Sequence, residues 1–224
     1  MNTYHYTEHE GHMLIDSGSQ LWLLDTGAPA SVGNAPLTLA GNTHAVADNY
    51  LGVSINDLNE AVGTYFDVLL GMDIIGSTGL FVDTASKQVG FGELPATTGH
   101  PLWVELVMGV PTLEMNISGT TQRLFFDTGA KITYLPASAV RGFRPLHEVE
   151  DFYPGFGPFK SCVYQLPADI GRRHVVIDVG VLPETLESRL LMAGTNGILG
   201  NSAWQGRSVH YSPANRTLRF DAAL

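Results

Sequence analysis

The sequence is short of several things. It has one cysteine, Cys162, so no disulfide can form within the chain. It is poor in positive charge: 12 Lys and Arg stand against 22 Asp and Glu, a formal net charge of -10. Nucleic acids and anionic membranes are gripped by clustered Lys and Arg, so neither is an expected partner. No five like charges run together, which spreads the acidic surplus over a solvated surface. No uninterrupted apolar run approaches the ~20 residues of a membrane span. The opening "MNTYHYTEHEGH" has neither the basic start nor the apolar stretch of a secretory signal. These absences give the expectation of a soluble, cytoplasmic protein, or one exported by a route the sequence does not display. Metal-ligand spacing is missing too. Of eight His, only His5, His9 and His12 fall at i, i+4 and i+7, and a frayed, solvated terminus accounts for them. No metal and no cofactor is expected. Cys162 has no Cys-x-x-Cys partner and no adjacent His, and reads as a packing residue.

What is present is a foldable chain. At 44% hydrophobic and 15% charged residues it can bury a core, and its 224 residues fit one large domain or two small ones. Its 25 Gly and 12 Pro are well spread, and short apolar runs such as "LWLL", "FDVLL", "LFFD" and "HVVIDVGVL" sit between turn signals. That is the rhythm of an all-β protein. Two stretches read as short helices. Ser54 to Gly63 has Ser54 as N-cap and Ile55, Leu58 and Val62 at helical spacing; Pro183 to Met192 has Pro near its start. "PASAVRGF" reads as one helical turn. Trp22 and Trp204 are read as core.

The chain repeats itself. "WLLDTGAPAS" (Trp22 to Ser31) is matched by "LFFDTGAKIT" (Leu124 to Thr133). Each copy follows a hairpin turned at Ser-Gly. Each is followed by a strand ending in two hydrophobic residues and Gly (Leu69-Leu70-Gly71; Ile198-Leu199-Gly200) and then by a closing hairpin. Four landmarks in one order imply two lobes, 1–96 and 97–224, with Glu93 to Pro101 as linker. Three look-alikes are set aside. Asp16-Ser17-Gly18 aligns with Ile117-Ser118-Gly119 and is a hairpin turn. Asp83-Thr84-Ala85 lacks the Gly. Asp73, just past Gly71, is matched by Asn201 and so has no symmetric role. The copies differ in length: Asp25 to Gly71 spans 46 residues and Asp127 to Gly200 spans 73. The excess contains "DFYPGFGPFKSCVYQLP", two candidate strands around a Gly/Pro/aromatic tip. It reads as a projecting hairpin with Tyr153, Phe156 and Phe159 exposed at its end and Gly155 and Gly157 supplying unusual backbone angles.

A duplicated Asp-Thr-Gly predicts a two-fold site made from both halves. Two carboxyls a few ångströms apart lose the first proton easily and hold the second by repulsion. One then takes a proton from water while the other donates to a substrate carbonyl. Thr26 and Thr128 are suited to hydrogen-bond across the axis. Gly27 and Gly129 let the backbone turn tightly beside the carboxylates.

These motifs resemble the aspartic peptidases of the pepsin and retropepsin group. The chain looks like two retropepsin-like halves fused into a minimal pepsin-like molecule, with Ala28 and Ala130 following each Gly as in retropepsins. The resemblance implies an all-β, two-lobed, pseudo-twofold acid-protease fold with a few short helices. It implies Asp25 and Asp127 as the catalytic dyad, and Gly71 and Gly200 as the ends of strands threading beneath each catalytic loop. The implied activity is endopeptidase cleavage by a monomer of an extended polypeptide substrate. The chain is shorter than pepsins, and neither a propeptide nor disulfides are expected. Its N-terminal copy looks too short for a flap, with Gly41 to Glu60 reading as a strand and then a helix. The substrate-binding flap is therefore expected in the C-terminal lobe, at Tyr153, Gly155, Phe156 and Gly157. A catalytically silent peptide- or protein-binding module and a homodimer with a shared site are the alternatives; two intact Asp-Thr-Gly motifs weigh against the first and the internal repeat makes the second superfluous.

Overall fold

The computed structural model describes residues 2–93 and 97–222. The expected lobe boundary and the middle of the expected linker, residues 94–96, lie outside the described residues. The chain forms two sheet-rich lobes with a few short helices.

In the N-terminal lobe, strands Leu21–Leu24 and Val68–Leu70 run parallel, with Leu23 opposite Leu69 and Leu24 opposite Leu70. The chain leaves the Asp-Thr-Gly turn as Val32–Gly33 and pairs antiparallel with the other side of that same strand. The C-terminal lobe repeats the plan. Thr120–Phe126 runs parallel to Gly197–Leu199, and Thr133–Leu135 returns antiparallel beside it. In both lobes the hydrophobic-hydrophobic-Gly strand is thus clasped between the strands entering and leaving the Asp-Thr-Gly turn. Both faces of the clasped strands are buried, with Val68 to Leu70, Ile198 and Leu199 all in the core, which is why they read as unbroken apolar runs rather than alternating ones. Trp22 and Trp204, at 1% and 0% exposure, anchor the core beneath the two loops, as expected.

The sheets are not confined to their own halves. The C-terminal hairpin, Arg207–Ser212 with Thr217–Ala222, adds to the N-terminal lobe's sheet, pairing Phe81 with His210 and Val82 with Val209. Leu102–Trp103 then pairs with Thr217 and Leu218.

Helix α1, Ile55–Val62, starts where the sequence placed it. Ser54 and Asp57 form a reciprocal capping box, Gly63 closes the helix at φ 75°, and Ile55 and Leu58 are buried. Helix α2, Met72–Thr78, was not expected. Its Ile-Ile-Gly run has poor helix propensity, and burial of Met72, Ile74 and Ile75 overrides it. Helix α3 covers Glu184–Met192 with Pro183 as cap, and Ala137–Val140 is a single 3-10 turn.

Three expectations are corrected. Gly41 to Glu60 is not a strand and a helix: hairpins Leu37–Leu39/Asn42–His44 and Asn49–Tyr50/Val53–Ser54 precede α1. Their tips, Ala40-Gly41 (φ 55° and 80°) and Leu51-Gly52 (φ 52° and 80°), are two-residue turns with both residues left-handed. The N-terminus is not frayed. Asn2–His9 and His12–Asp16 form a hairpin inside the large sheet, and His12 is buried. Cys162 is not a packing residue but exposed. On the strand Gly157–Ile170 the inward position is its neighbour Ser161, whose Oγ accepts from Val181 N–H at 2.6 Å.

The clasped strands leave no room at their glycines. A Cβ on Gly200 would lie 2.2 Å from the Ile132 carbonyl oxygen, a backbone atom that cannot swing aside. We expect Gly200→Ala to destabilise the fold by more than about 3 kcal/mol. Urea denaturation checks this; a loss under 1 kcal/mol would show that the clasp is loose.

Candidate active site

The strand register delivers both acids to one place. Asp25 N–H donates to the Leu70 carbonyl at 3.0 Å and Asp127 N–H to that of Leu199 at 3.1 Å. One residue past each clasped Gly, Met72 N–H donates to Ala28 O at 2.8 Å and Asn201 N–H to Ala130 O at 2.9 Å. Aligning Gly71 with Gly200 pairs Met72 with Asn201 and Asp73 with Ser202, which corrects the matching of Asp73 to Asn201. Asp73 is a supporting residue. Its carboxylate accepts from Ser31 N–H (3.0 Å) and Oγ–H (2.6 Å), and that Oγ accepts from Gly71 N–H at 2.9 Å. Asp16 and Asp83 each end a strand, and each carboxylate accepts from the backbone of the turn that follows.

The loops are set alike. Asp25 Oδ1 accepts from Gly27 N–H at 2.8 Å and Ala28 N–H at 3.0 Å; Asp127 Oδ1 accepts from Gly129 N–H at 2.8 Å and Ala130 N–H at 3.2 Å. The two carboxyl groups hydrogen-bond each other. A Cβ on Gly27 would meet the Asp127 carboxyl at 2.3 Å, and one on Gly129 would meet that of Asp25 at 2.6 Å. Each glycine is therefore required by the acid of the other lobe.

Beneath the acids, Thr26 and Thr128 are fully buried. Thr26 N–H donates to Thr128 Oγ1 at 2.9 Å, and Thr128 N–H to Thr26 Oγ1 at 3.0 Å. Each hydroxyl then donates to a carbonyl of the opposite strand, Thr26 to Phe126 (2.8 Å) and Thr128 to Leu24 (3.1 Å). The opening hairpins add a second crossing. The turn at Gly11 sits against Lys131, and the turn at Gly109 against Pro29, each being the residue just after Asp-Thr-Gly-Ala in the other lobe. Asn201 Nδ2 ties the first crossing down by donating to both Gly11 O (2.9 Å) and Thr128 O (2.7 Å).

Both acids are pushed above the ordinary carboxylate range. For Asp25 burial is the main cause, followed by the charge of Asp127 and the hydrogen bond to it. For Asp127 burial is again the main cause, opposed by hydrogen bonds from Gly129 N–H, Asp25 and Ala130 N–H. Acids this close titrate as a pair rather than one by one.

Two hairpins close over this pair. His147–Tyr153 and Gly157–Ile170 form the large one, in the C-terminal lobe. The small Tyr50 hairpin of the N-terminal lobe faces it, and Leu51 packs on Gly155. A cavity of about 90 Å³ remains over the acids, and one of about 220 Å³ opens beside it; Tyr50 and Tyr153 line both. Burial, then the charge of Asp127, pushes the Tyr153 hydroxyl up to about 12, so it stays protonated. Of the residues expected in the flap, Tyr153 reaches the acids. Phe156 packs instead on Phe159 (centroids 6.1 Å apart), which packs on Tyr134 (5.6 Å). Gly155 and Gly157 shape the turn at φ 72° and 100°, and Arg189 Nη1 donates to Gly155 O at 3.3 Å. The aromatic tip is therefore partly buried, not exposed as expected. Sequence reasoning missed Tyr50, whose signal was the Leu51-Gly52 turn. It also missed Tyr134, whose Oη donates to Asp151 Oδ2 at 2.5 Å beside the cavity, and for that pair the sequence carries no signal.

No protein-family model and no curated protein sequence matches the chain. Solved structures are similar over part of it. The foamy viral protease-reverse transcriptase in complex with an RNA/DNA hybrid is 22% identical with a TM-score of 0.33, over 42% of this chain and 11% of that one. Simian Foamy Virus (mac) protease is 25% identical with a TM-score of 0.30, over 41% of this chain and 88% of that one. EIAV protease complexed with the inhibitor HBY-793 is 20% identical with a TM-score of 0.34, over 43% of this chain and 86% of that one. The chain thus spans about a tenth of the length of the first and most of the length of the other two. Its own architecture is two sheet-rich lobes with a few short helices, meeting at paired Asp-Thr-Gly turns.

Thr128→Val keeps the side-chain volume but strands two buried groups, Thr26 N–H and Leu24 C=O. A loss of about 2–4 kcal/mol is expected in urea denaturation, with Thr128→Ser close to wild type. Equal stability of Val and Ser variants would contradict the crossed-hydroxyl account.

Proposed function

We propose that the protein is an aspartic endopeptidase in which Asp25 and Asp127 are the catalytic residues and the residues at 26–27 and 128–129 support them. The observation that carries the reading is the carboxyl pair itself: two acids from separate lobes, hydrogen-bonded to each other and both raised chiefly by burial. Asp127, as base, takes a proton from a water lying between the carboxyls. Asp25, as acid, donates to the oxygen of the scissile carbonyl, and the resulting tetrahedral centre collapses once the amine receives a proton from the pair. An extended polypeptide lies along the cleft between the lobes and pairs with hairpin backbone, with Tyr50 and Tyr153 above the cut bond. One chain supplies both acids, so it acts as a monomer, with one Asp-Thr-Gly turn contributed by residues 1–96 and the other by 97–224. The chemistry calls for no metal or cofactor. Among the described residues no helix is long and apolar enough to cross a membrane.

Asp25→Asn and Asp127→Asn should each abolish cleavage of a peptide library, while Asp16→Asn remains active. Mixing the two inactive variants should restore nothing, because each chain carries its own site; recovery on mixing would point to a site shared between chains. Folding should survive in both. A carboxyl whose folded value is raised costs stability once it ionises, so the penalty is absent below the unfolded value and grows as pH rises through the folded one. The Asn variants should therefore melt at or above the wild-type temperature at pH 7 and show no gain at pH 3.

Activity should follow a bell. At low pH both carboxyls are protonated and no base remains; at high pH both are ionised and no acid remains. Ala28 and Ala130 give the carboxylates no hydroxyl bond that would lower them, so an optimum of about pH 4 to 6 is expected. A profile flat to pH 8 in initial-rate measurements would rule out a shared proton.

A further inference from the structure

The repeat is broken at one buried position beside the acids. Seven residues past Asp25 stands Val32; seven past Asp127 stands Tyr134. Both are in the core, but Tyr134, at 3% exposure, brings a hydroxyl there. The strand next to it leaves space for the ring. Gly180 is its partner in the parallel register, and a Cβ on Gly180 would lie 2.5 Å from the Tyr134 ring. The long hairpin holds that ring from two sides. Phe159 meets it edge-on, with centroids 5.6 Å apart, and Asp151 Oδ2 accepts from its hydroxyl at 2.5 Å. Asp151 and Phe159 are opposite each other across the hairpin, so they share a face. The hairpin thus grips the strand that leaves the Asp127 loop.

Asp151 also lines the cavity over the acids, together with Asp25 and Asp127. Phe152 N–H donates to its Oδ1 at 2.8 Å, so both oxygens accept, the role of an ionised carboxyl. Burial, then the charge of Asp151, holds the Tyr134 hydroxyl far above its ordinary value, so it remains a donor. At Asp127 burial is the first cause of the rise, and the charge of Asp151 adds to it. The other groups facing the pair are Tyr50 and Tyr153 from the two hairpins and Arg189 from α3. Asp151 also borders an open groove lined by Lys131, His9, Glu10, Asp57, Glu60 and Glu150. His12, bonded to the Gly129 backbone, is lowered to about 4, chiefly by burial.

We infer that Asp151 is a positioning residue of the proposed reaction: it pins the long hairpin to Tyr134 and sets a third carboxyl beside the acid pair. The inference rests on the endopeptidase reading and deepens it by adding a residue to the site. Its consequence has a sign. A negative charge beside the pair opposes the loss of the pair's last proton, so the alkaline limb of the activity bell lies at higher pH with Asp151 than without it.

The test uses the full chain and a peptide substrate with blocked ends and no titratable side chain. Asp151→Asn removes the charge but keeps an acceptor for Tyr134. Its kcat/KM at the optimum should stay within about twofold of wild type, with the alkaline limb displaced by about half a pH unit towards acid, as for one charge across a partly hydrated cavity. His12 titrates below that limb and does not move it. Tyr134→Phe keeps the ring and removes the hydroxyl, and its kcat/KM should fall about tenfold. An unmoved limb in Asp151→Asn overturns the inference, and so does wild-type kcat/KM in Tyr134→Phe; a bond that only stabilised the fold would give both results. Either leaves the protease reading standing. If the wild type cleaves no peptide, the protease reading fails, and hydrogen exchange then judges the pin. Amides of His147–Tyr153 should exchange about fivefold faster in Tyr134→Phe than in wild type, and equal rates overturn the inference.

Discussion

Two hydroxyl groups buried between the lobes set the terms for the rest of the molecule. Thr26 and Thr128 each give and take a hydrogen bond across the axis, so neither loop can shift without leaving a buried polar group unpaired. That lock fixes the separation of Asp25 and Asp127, and their separation fixes how strongly they share a proton. Everything nearby answers to the same distance. Gly27 and Gly129 carry no side chain because the opposite carboxyl occupies the space. Gly71 and Gly200 carry none because the loops fold directly over the clasped strands. Four glycines, two threonines and two aspartates form one geometric statement made twice.

Around this symmetric centre the two lobes have diverged. One loop is followed by Pro29 and the other by Lys131; one is covered by a two-residue turn and the other by a long hairpin. A symmetric acid pair has no direction of its own. Direction comes from what is not repeated: the long hairpin on one lobe and the small Tyr50 turn on the other.

The parts legible in the sequence are those whose chemistry tolerates few substitutes. Asp-Thr-Gly and the two clasped glycines could be found because few other residues fill those roles. Helices α1 and α3 could be found because Ser54, Gly63 and Pro183 mark their ends. What escaped depended on context. Cys162 and Ser161 are neighbours on one strand, and composition does not say which faces in; a shift of one residue exchanges the two faces. Helix α2 forms against its own propensity because Met72, Ile74 and Ile75 are buried by the fold. His12 owes its burial to the other lobe, 117–119 residues away in sequence at Gly129 and Lys131, and local pattern does not reach that far. The aromatic tip at Phe156 looked exposed because Gly and Pro surround it, yet Phe159 and Tyr134 draw it down.

The hairpin that carries Arg207–Ser212 into the N-terminal lobe's sheet bears on how the molecule is made. The edge strand Leu80–Asp83 waits for a partner that lies far along the chain; the adjoining bond from Thr84 Oγ1 to Arg207 O joins residues 123 apart. At a synthesis rate of about 5–20 residues per second, that edge stands open on the ribosome for roughly 6 to 25 seconds. An unpaired edge is a template for pairing with other chains. The same delay bears on the acid pair: until the second half of the chain arrives, Asp25 stands without Asp127, and the site is only half made.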